Sequence, residues 1–257
     1  MLINEIRSKW MACYAISDIH GRYDLLKDAV DTFIDLSKDQ LILVGDYIDG
    51  DEHADSYKTL KYIYSLNQKY NVIVLKGNHE EWLLNWLFDY TSLNVKCYPD
   101  IYTIQDFLGE EQFSRIFARA NKMEDSLTDM LYLLCKEAIL EKDIELLYWL
   151  KELPMYYETE HEIFVHAGID GKYWKETNDI NDYLMARPNF FDFKKVIISG
   201  HTPTFQIVHN SHFHGIYKEK NHIFIDPCVK KYKHLNVLKI ENQNYYEVRK
   251  GKVRVLK

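Results

Sequence analysis

Five times along this chain a short apolar run ends abruptly in Asp, His, Asn or Gly: "CYAISDIHG", "LILVGDYIDG", "VIVLKGNHE", "IFVHAG" and "VIISGHT". These endings supply Asp18 and His20, Asp46 and Asp49, Asn78 and His79, His166, and His201. A sixth run, "IFIDPC", carries a weaker form of the same ending. One "DxH" behind a strand is usually just a turn, and a lone "HAG" or "GHT" says less. All five in order, each behind an apolar run, predict a shared site. If the runs are strands of one sheet, their polar ends converge on one edge. Carboxylate oxygens, imidazole nitrogens and an amide oxygen suit borderline divalent ions such as Mn, Fe and Zn. A carboxylate has two oxygens, so Asp46 can bridge two ions. Two ions roughly 3.5–4 Å apart can hold a hydroxide between them and clamp a phosphoryl oxygen for in-line hydrolysis.

The ordered set Asp18-Ile-His20-Gly21, Gly45-Asp46-x-x-Asp49-Gly50, Gly77-Asn78-His79-Glu80, His166-Ala-Gly168 and Gly200-His201-Thr202 resembles the calcineurin-like metallophosphoesterases. It is most similar to the bacterial and phage branch of the phosphoprotein phosphatase (Ser/Thr phosphatase) family, which also includes symmetrical diadenosine tetraphosphate hydrolases. The resemblance runs from about Ala15 to Cys228. It implies an α/β fold, a four-layer α/β/β/α sandwich with metals at the C-terminal edges of the strands. It implies two divalent ions, with manganese the first candidate and iron or zinc the others. Asp18, His20 and Asp46 would hold one ion; Asp46, Asn78, His166 and His201 would hold the second. His79 would protonate the leaving-group oxygen and Asp49 would hydrogen-bond His79. That pairing also fits the chemistry of the residues, because a nearby carboxylate favours imidazolium and keeps a proton available near neutral pH.

Phosphate needs further cations, and arginine's planar fork pairs with two phosphate oxygens. The family commonly places an arginine directly after the second aspartate of "GDxxDRG"; here that position is Gly50, followed by Asp51. "YLMARPNFF" is similar to the family's later "LWAR" segment, which makes Arg187 the substrate-binding candidate. Arg22, directly after Gly21, is a second candidate, with a solvated helix-start residue as the plainer reading.

The elements that position these residues follow from periodicity. Short runs rich in Val and Ile read as buried strands, and the loops behind them carry the chemistry. Leu25, Leu26, Ala29, Val30, Phe33 and Ile34 share one helical face, and Ser56 to Gln68 forms a similar segment. The result is βαβαβ. From Glu81 to about Leu153 the chain reads as helices, closed by Pro154, a cap or insertion inside a single domain spanning 1–257. Short strands return after it, and Gly251-Lys252 reads as a hairpin turn.

Other polar and aromatic groups read as structure. His209, His212 and His214 suggest a histidine-rich hairpin edge; in a strand, His212 and His214 would share a face. His53 reads as solvated, and Trp82, Leu83, Trp86 and Leu87 as a packed helix face. Glu80 and Glu81 open a helix and favour its dipole. "HEEWL" is not HExxH, and there is no GxxxxGK[ST], which excludes a zincin and a P-loop NTPase.

The 257 residues carry a net charge of −7, which does not favour a nucleic acid polymer or an anionic membrane. Cys13, Cys97, Cys135 and Cys228 are scattered without a CxxC pair and read as reduced thiols of a cytoplasmic protein. No signal peptide or run of roughly 20 apolar residues is expected; Met11 is an alternative start behind a loose extension. Three functions compete. The first is a phosphatase of phosphoserine, phosphothreonine or phosphotyrosine in proteins. The second is a hydrolase of dinucleoside polyphosphates or other small phosphoesters. The third is a degenerate scaffold, whose signature would be lost ligands; none of the proposed ligands is missing. The cap and the loops Asp51–Asp55 and Arg187–Phe193 should separate the first two.

Overall fold

A computed structural model describes residues 11–88, 99–123, 125–171, 173–177, 179–191 and 193–257. Cys97, the extension before Met11 and residues 89–98 of the helical block lie outside the described residues.

β1 (Cys13–Ile16), β2 (Gln40–Leu43) and β3 (Val72–Val74) run parallel, joined by α1 (Tyr23–Phe33) and α2 (Ser56–Lys69). β9 (Val237–Glu241), β10 (Asn244–Arg249) and β11 (Lys252–Val255) add antiparallel strands, giving the order β11-β10-β9-β1-β2-β3. A second sheet has the order β4-β5-β6-β8-β7. Its strands are β4 (Tyr156–Glu158), β5 (Glu162–Val165), β6 (Val196–Ser199), β7 (Tyr217–Glu219) and β8 (His222–Phe224). The β10–β11 turn is Lys250-Gly251, since Arg249 already pairs with Lys252. That corrects the expected Gly251-Lys252 by one residue: a two-residue loop fixes the register, and Lys252 is its first paired residue.

Side-chain alternation builds the layers. Ala15, Ile42, Phe164, Ile198, Ile223 and Leu238 form the core between the sheets. Tyr14, Ile16, Leu41 and Leu43 face the other way, into the helices. Ile163, Val165 and Ile197 meet Trp174 and Tyr183 on the far side, a thin fourth layer that includes α8 (Asn181–Leu184). A one-residue slip of β1 would move Ala15 and Ile16 to the wrong faces, forfeiting roughly 1.5–3 kcal/mol per large side chain. Register therefore fixes where each strand stops. Ile16 pairs with Leu43 and Leu43 with Val74; Phe164 pairs with Ile198 and Ser199 with Phe224. The polar residues behind these strands emerge level.

The helical block begins at Asn78, earlier than the expected Glu81, because α3 (Asn78–Phe88) takes the motif itself as its first turn. It continues through α4 (Ile101–Leu108), α5 (Glu110–Ala120), α6 (Leu127–Lys142) and α7 (Ile144–Lys151). Phe107, Leu134 and Leu147 share a core with Leu60 and Leu83. Asp143 caps α7 by accepting from Leu146 N at 3.3 Å, and it also receives Lys61 Nζ at 2.8 Å and Tyr57 O–H at 2.9 Å from α2. The block is thus fastened to the helices covering the first sheet. No helix among the described residues is long and apolar enough to cross a membrane.

Candidate metal centre

Three of the strands that feed the site, β1, β2 and β6, end in sharp turns. Asp18, His20, Asp46, Asp49 and His201 all have left-handed backbone, with φ between 46° and 62°. Such conformations cost non-glycine residues roughly 1 kcal/mol or more each and concentrate where function over-determines the geometry. Here they swing donor side chains over the sheet edge. The turns lie close together: a Cβ on Gly77 would sit 2.3 Å from the Asp46 nitrogen and Oδ1, so the "GNH" loop can approach Asp46 only as glycine.

Asp46 is the centre. Its Oδ1 lies 3.4 Å from His166 Nε2, while its Oδ2 lies 4.0 Å from His20 Nε2 and 3.8 Å from His79 Nε2. Each oxygen faces a different set of nitrogens, the disposition a bridging carboxylate needs. Burial disfavours its charge, but His166 and His79 outweigh burial and hold its pKa well below the usual range. Glu80, expected only to favour a helix dipole, fixes this loop. Its Oε2 accepts from Asp46 N and Gly77 N, both at 2.9 Å, and its Oε1 accepts from Tyr47 N at 2.7 Å. Burial and the Asp46 charge push Glu80 up to about 7, against the Tyr47 N–H and the charges of His79 and His166.

On the second sheet, His166 is fully buried and its Nδ1 donates to Val44 O at 2.9 Å, leaving Nε2 to face Asn78 Oδ1 at 2.9 Å. His201 Nδ1 lies 2.8 Å from the same oxygen, and its Nε2 is buried without a hydrogen-bond partner among the described residues. His20 is oriented likewise, with Nδ1 2.8 Å from Ile48 O. Backbone carbonyls that hold one imidazole nitrogen and leave the other pointing inward are the usual supports of metal-ligating histidines. The donors fit divalent cations on a second count. Asp18, Asp46, Asp49, Glu80 and Asp226 are all buried, and among the described residues no lysine or arginine pairs with any of them. Buried charges of one sign need a compensating partner or metal.

Asp18 sits between the sheets, accepting from His201 N at 3.1 Å on both oxygens and from the Ser17 hydroxyl. Burial, then Asp226, raises its pKa well above the usual range. Two groups bring ligand atoms within 4.8 Å of one another: His20, Asp46 and His79, and Asp46, His166 and His201. His79 thus stands where the resemblance implies Asp18. Its Nδ1, however, is engaged with Asp49 Oδ2 at 2.7 Å. Burial opposes its charged form, yet Asp46 and the Asp49 hydrogen bond prevail and raise its pKa. With Nδ1 committed to Asp49, Nε2 is the ring nitrogen left to face Asp46, at 3.8 Å. Asp49 is held in turn from the cap: its Oδ1 accepts from Asp100 N at 2.9 Å, and its own N donates to Thr103 Oγ1 at 3.0 Å.

Asp226, behind β8, completes the level row of strand ends; its Oδ1 accepts from Cys228 N at 2.6 Å. Burial pushes its pKa up to about 7. The weak "IFIDPC" run was its signal. Arg187 is exposed and makes no ion pair among the described residues; it lines a cavity of about 350 Å³ with Asp170 and Asp182. Its charge reaches His201, whose pKa burial, His166 and then Arg187 lower to about 4. Arg22 instead forks onto Asp24, with Nε to Oδ1 at 3.0 Å and Nη2 to Oδ2 at 2.9 Å.

The remaining histidines stay outside the centre. "HNSHFHG" is a loop, not a hairpin edge: His209 and His212 are exposed, while His214 Nδ1 lies 3.3 Å from His234 Nε2. The expected strand fails because Asn210 turns the chain, its side chain accepting from His212 N at 3.0 Å. His53 is exposed, as expected. Leu83, Trp86 and Leu87 pack inward, but Trp82 is half-buried with its ring 4.7 Å from that of His79. Cys13, Cys135 and Cys228 are free thiols.

A family model described as calcineurin-like phosphoesterase matches residues 11–205. No curated protein sequence matches the chain. Among solved structures, a cold-active protein tyrosine phosphatase aligns with a TM-score of 0.62 at 16% identity, covering 96% of this chain and 79% of that one. A protein serine/threonine phosphatase from Saccharomyces cerevisiae aligns at 0.53 with 12% identity, covering 92% and 75%. A metallophosphoesterase from Sphaerobacter thermophilus aligns at 0.50 with 11% identity, covering 96% and 89%. At such identities the likeness is one of fold.

Proposed function

The chain belongs to the calcineurin-like phosphoesterase family, and from that premise we propose that it hydrolyses phosphate monoesters on protein side chains with two divalent ions, manganese first. One observation carries the reading: the donor atoms of Asp46, Asn78, His166 and His201 crowd within 2.8–3.4 Å beside a His79–Asp49 pair at 2.7 Å. Asp18 and His20 complete the proposed ligand set around the bridging Asp46. When bound, the ions supply Lewis-acid activation of water and neutralise phosphoryl charge.

The chain's residues supply the rest. Water oxygen forms the new bond to phosphorus as the ester P–O bond breaks. His79 Nε2 gives its proton to the departing oxygen, and a proton shed by the attacking water passes to solvent, from which His79 is reprotonated, so the products are a free hydroxyl and hydrogen phosphate. Asp49 fixes the imidazole through Nδ1 and stabilises its charged form. Arg187 grips phosphoryl oxygens from the His201 side. His20 and His79 keep 13% and 20% of their side chains exposed, so the reacting groups lie within reach of an ester on a protein surface.

A substrate panel with Mn-loaded protein tests this. Phosphoserine, phosphothreonine and phosphotyrosine peptides should be hydrolysed faster than dinucleoside tetraphosphates. The reverse order would assign the site to small phosphoesters. No hydrolysis of any aryl phosphate by metal-loaded protein would defeat the enzymatic reading.

A further inference from the structure

The helix that opens with the "GNHE" motif carries one large aromatic side chain that its own packing does not use. Along α3, Leu83, Leu84, Trp86 and Leu87 enter the core that the helices share with the first sheet, and Phe88 packs against it. Among the described residues Trp82 joins none of the three apolar cores. Its ring lies 4.7 Å from the His79 ring, inclined at 59°. The spacing explains the contact. His79 and Trp82 are neighbours at i and i+3, and helical side chains lean over the turn on their N-terminal side. An indole at position 82 therefore falls over the imidazole that gives up the proton. Both residues are only partly buried, so an incoming ester can reach the pair. Asp49 holds His79 Nδ1 at 2.7 Å, the His20 ring stands nearly perpendicular to the imidazole at 5.0 Å, and Nε2 looks toward Asp46. Trp82 is thus the large apolar surface beside the proton donor.

Position 50 sharpens what such a surface is worth. A Cβ on Gly50 would lie 2.3 Å from His20 O and 2.2 Å from Ala54 Cβ, so the backbone that presents His20 excludes an arginine there. Asp51, next in the chain, pairs with Lys233. A phosphoryl group gripped without that guanidinium leaves more of the binding to the organic part of the ester.

We infer that Trp82 determines specificity: it is an aromatic wall that packs on an aryl leaving group, so that among phosphorylated side chains phosphotyrosine is the favoured substrate. The leaving oxygen must come within hydrogen-bond reach of His79 Nε2, roughly 2.6–3.2 Å. In phosphotyrosine that oxygen is bonded directly to the ring, which places the ring beside the imidazole and within reach of the indole. The oxygen of phosphoserine or phosphothreonine carries only a short aliphatic stem. Offset or edge-to-face aromatic pairs form at centroid separations of about 4.5–7 Å, and such a pair strengthens binding of the aryl ester alone. Because it holds before as well as during P–O cleavage, it lowers KM more than it raises kcat.

The inference deepens the phosphoesterase reading and rests on it, and a binding measurement keeps their failures apart. Matched peptides carrying phosphotyrosine or phosphoserine give KM and kcat with Mn-loaded protein. Calorimetry gives the affinities of benzylphosphonate and methylphosphonate, which lack an ester bond to hydrolyse. Trp82→Ala should raise KM for the phosphotyrosine peptide about three- to tenfold relative to the phosphoserine peptide, and should cost benzylphosphonate a similar factor of affinity relative to methylphosphonate. Trp82→Leu, apolar but without a ring, should behave as Trp82→Ala. Trp82→Phe should restore most of both ratios, and metal content should stay at the wild-type level. Equal losses for both peptides and both phosphonates would make Trp82 a support for His79 alone and overturn the assignment, as would unchanged ratios. If the wild type hydrolysed neither peptide, the phosphoesterase reading would fall, and the phosphonate ratio would still decide whether an aromatic wall stands beside the centre.

Discussion

Around Asn78 Oδ1 the nitrogens of His166 and His201 stand 2.9 and 2.8 Å away, whereas around Asp46 Oδ2 those of His79 and His20 stand 3.8 and 4.0 Å away. The tight half joins Asn78, behind β3 of the first sheet, to His166 and His201 behind β5 and β6 of the second. His166 is fully buried there and braced by the Val44 carbonyl. The loose half lies on loops of the first sheet and opens to solvent. Close packing of donor atoms preorganises a cage for an ion. A looser, partly exposed set leaves space for a phosphoryl group and for a proton to move. On the proposed reading, ion retention would fall mainly to Asn78, His166 and His201, and proton transfer and substrate contact to the His20–His79 flank, with Asp46 common to both.

The largest expected effect comes from removing what the halves share. Asp46→Asn should weaken metal binding and activity by more than the roughly 100-fold that altering an outer-shell partner costs. Metal content by elemental analysis and aryl phosphatase rate check it; full metal occupancy in this variant would separate the halves. Next comes the loose half alone. His79→Asn should cut kcat about 10²–10⁴-fold while metal content stays near wild type. An emptied site would make His79 a ligand, as its place beside His20 and Asp46 allows.

Glu80→Gln should be milder, roughly 10–100-fold in activity or metal affinity, because the amide can accept from only one side of a three-donor cradle. The tight half should feel it least, since Asn78, His166 and His201 also hold one another. The smallest effect lies outside both halves, in the Asp143 link between α2 and α7. Burial raises the Asp143 pKa, but Lys61 and Tyr57 overcome it, so the folded value lies below the unfolded one. The link's stabilisation is therefore full above the unfolded carboxylate value near 4 and is lost as pH falls through the lower folded value. Asp143→Asn should lower stability by about 0.5–1 kcal/mol at neutral pH. The gap to wild type should close in acid; thermal unfolding at several pH values reads it.

The donors and the α/β order were legible because strand endings are local: a Val/Ile run followed by Asp, His or Asn needs no partner to be seen. What bound them together was not. Glu80 reads as any acid in a first helical turn, and its reach to Asp46, 34 residues back, exists only because β2 and β3 stop level. Asp100 and Thr103 hold Asp49 from the cap across 51 and 54 residues, a contact made by helix docking rather than by pattern. Asp226 shows only weakly in "IFIDPC", and its place in the row of strand ends depends on β8 lying next to β6. Gly50 shows the reverse case: the missing arginine was visible in the sequence, and the crowding that forbids it only in three dimensions.

The central claim is a two-ion centre in which His79 is the proton donor and not a ligand. Titrating Mn into chelated wild type and His79→Asn protein, while counting bound ions and following aryl phosphate hydrolysis, tests it most directly. Both proteins should bind about two ions per chain, with activity rising in step with occupancy only in the wild type. Fewer ions bound by His79→Asn than by wild type, or hydrolysis persisting in the metal-free wild type, would contradict it.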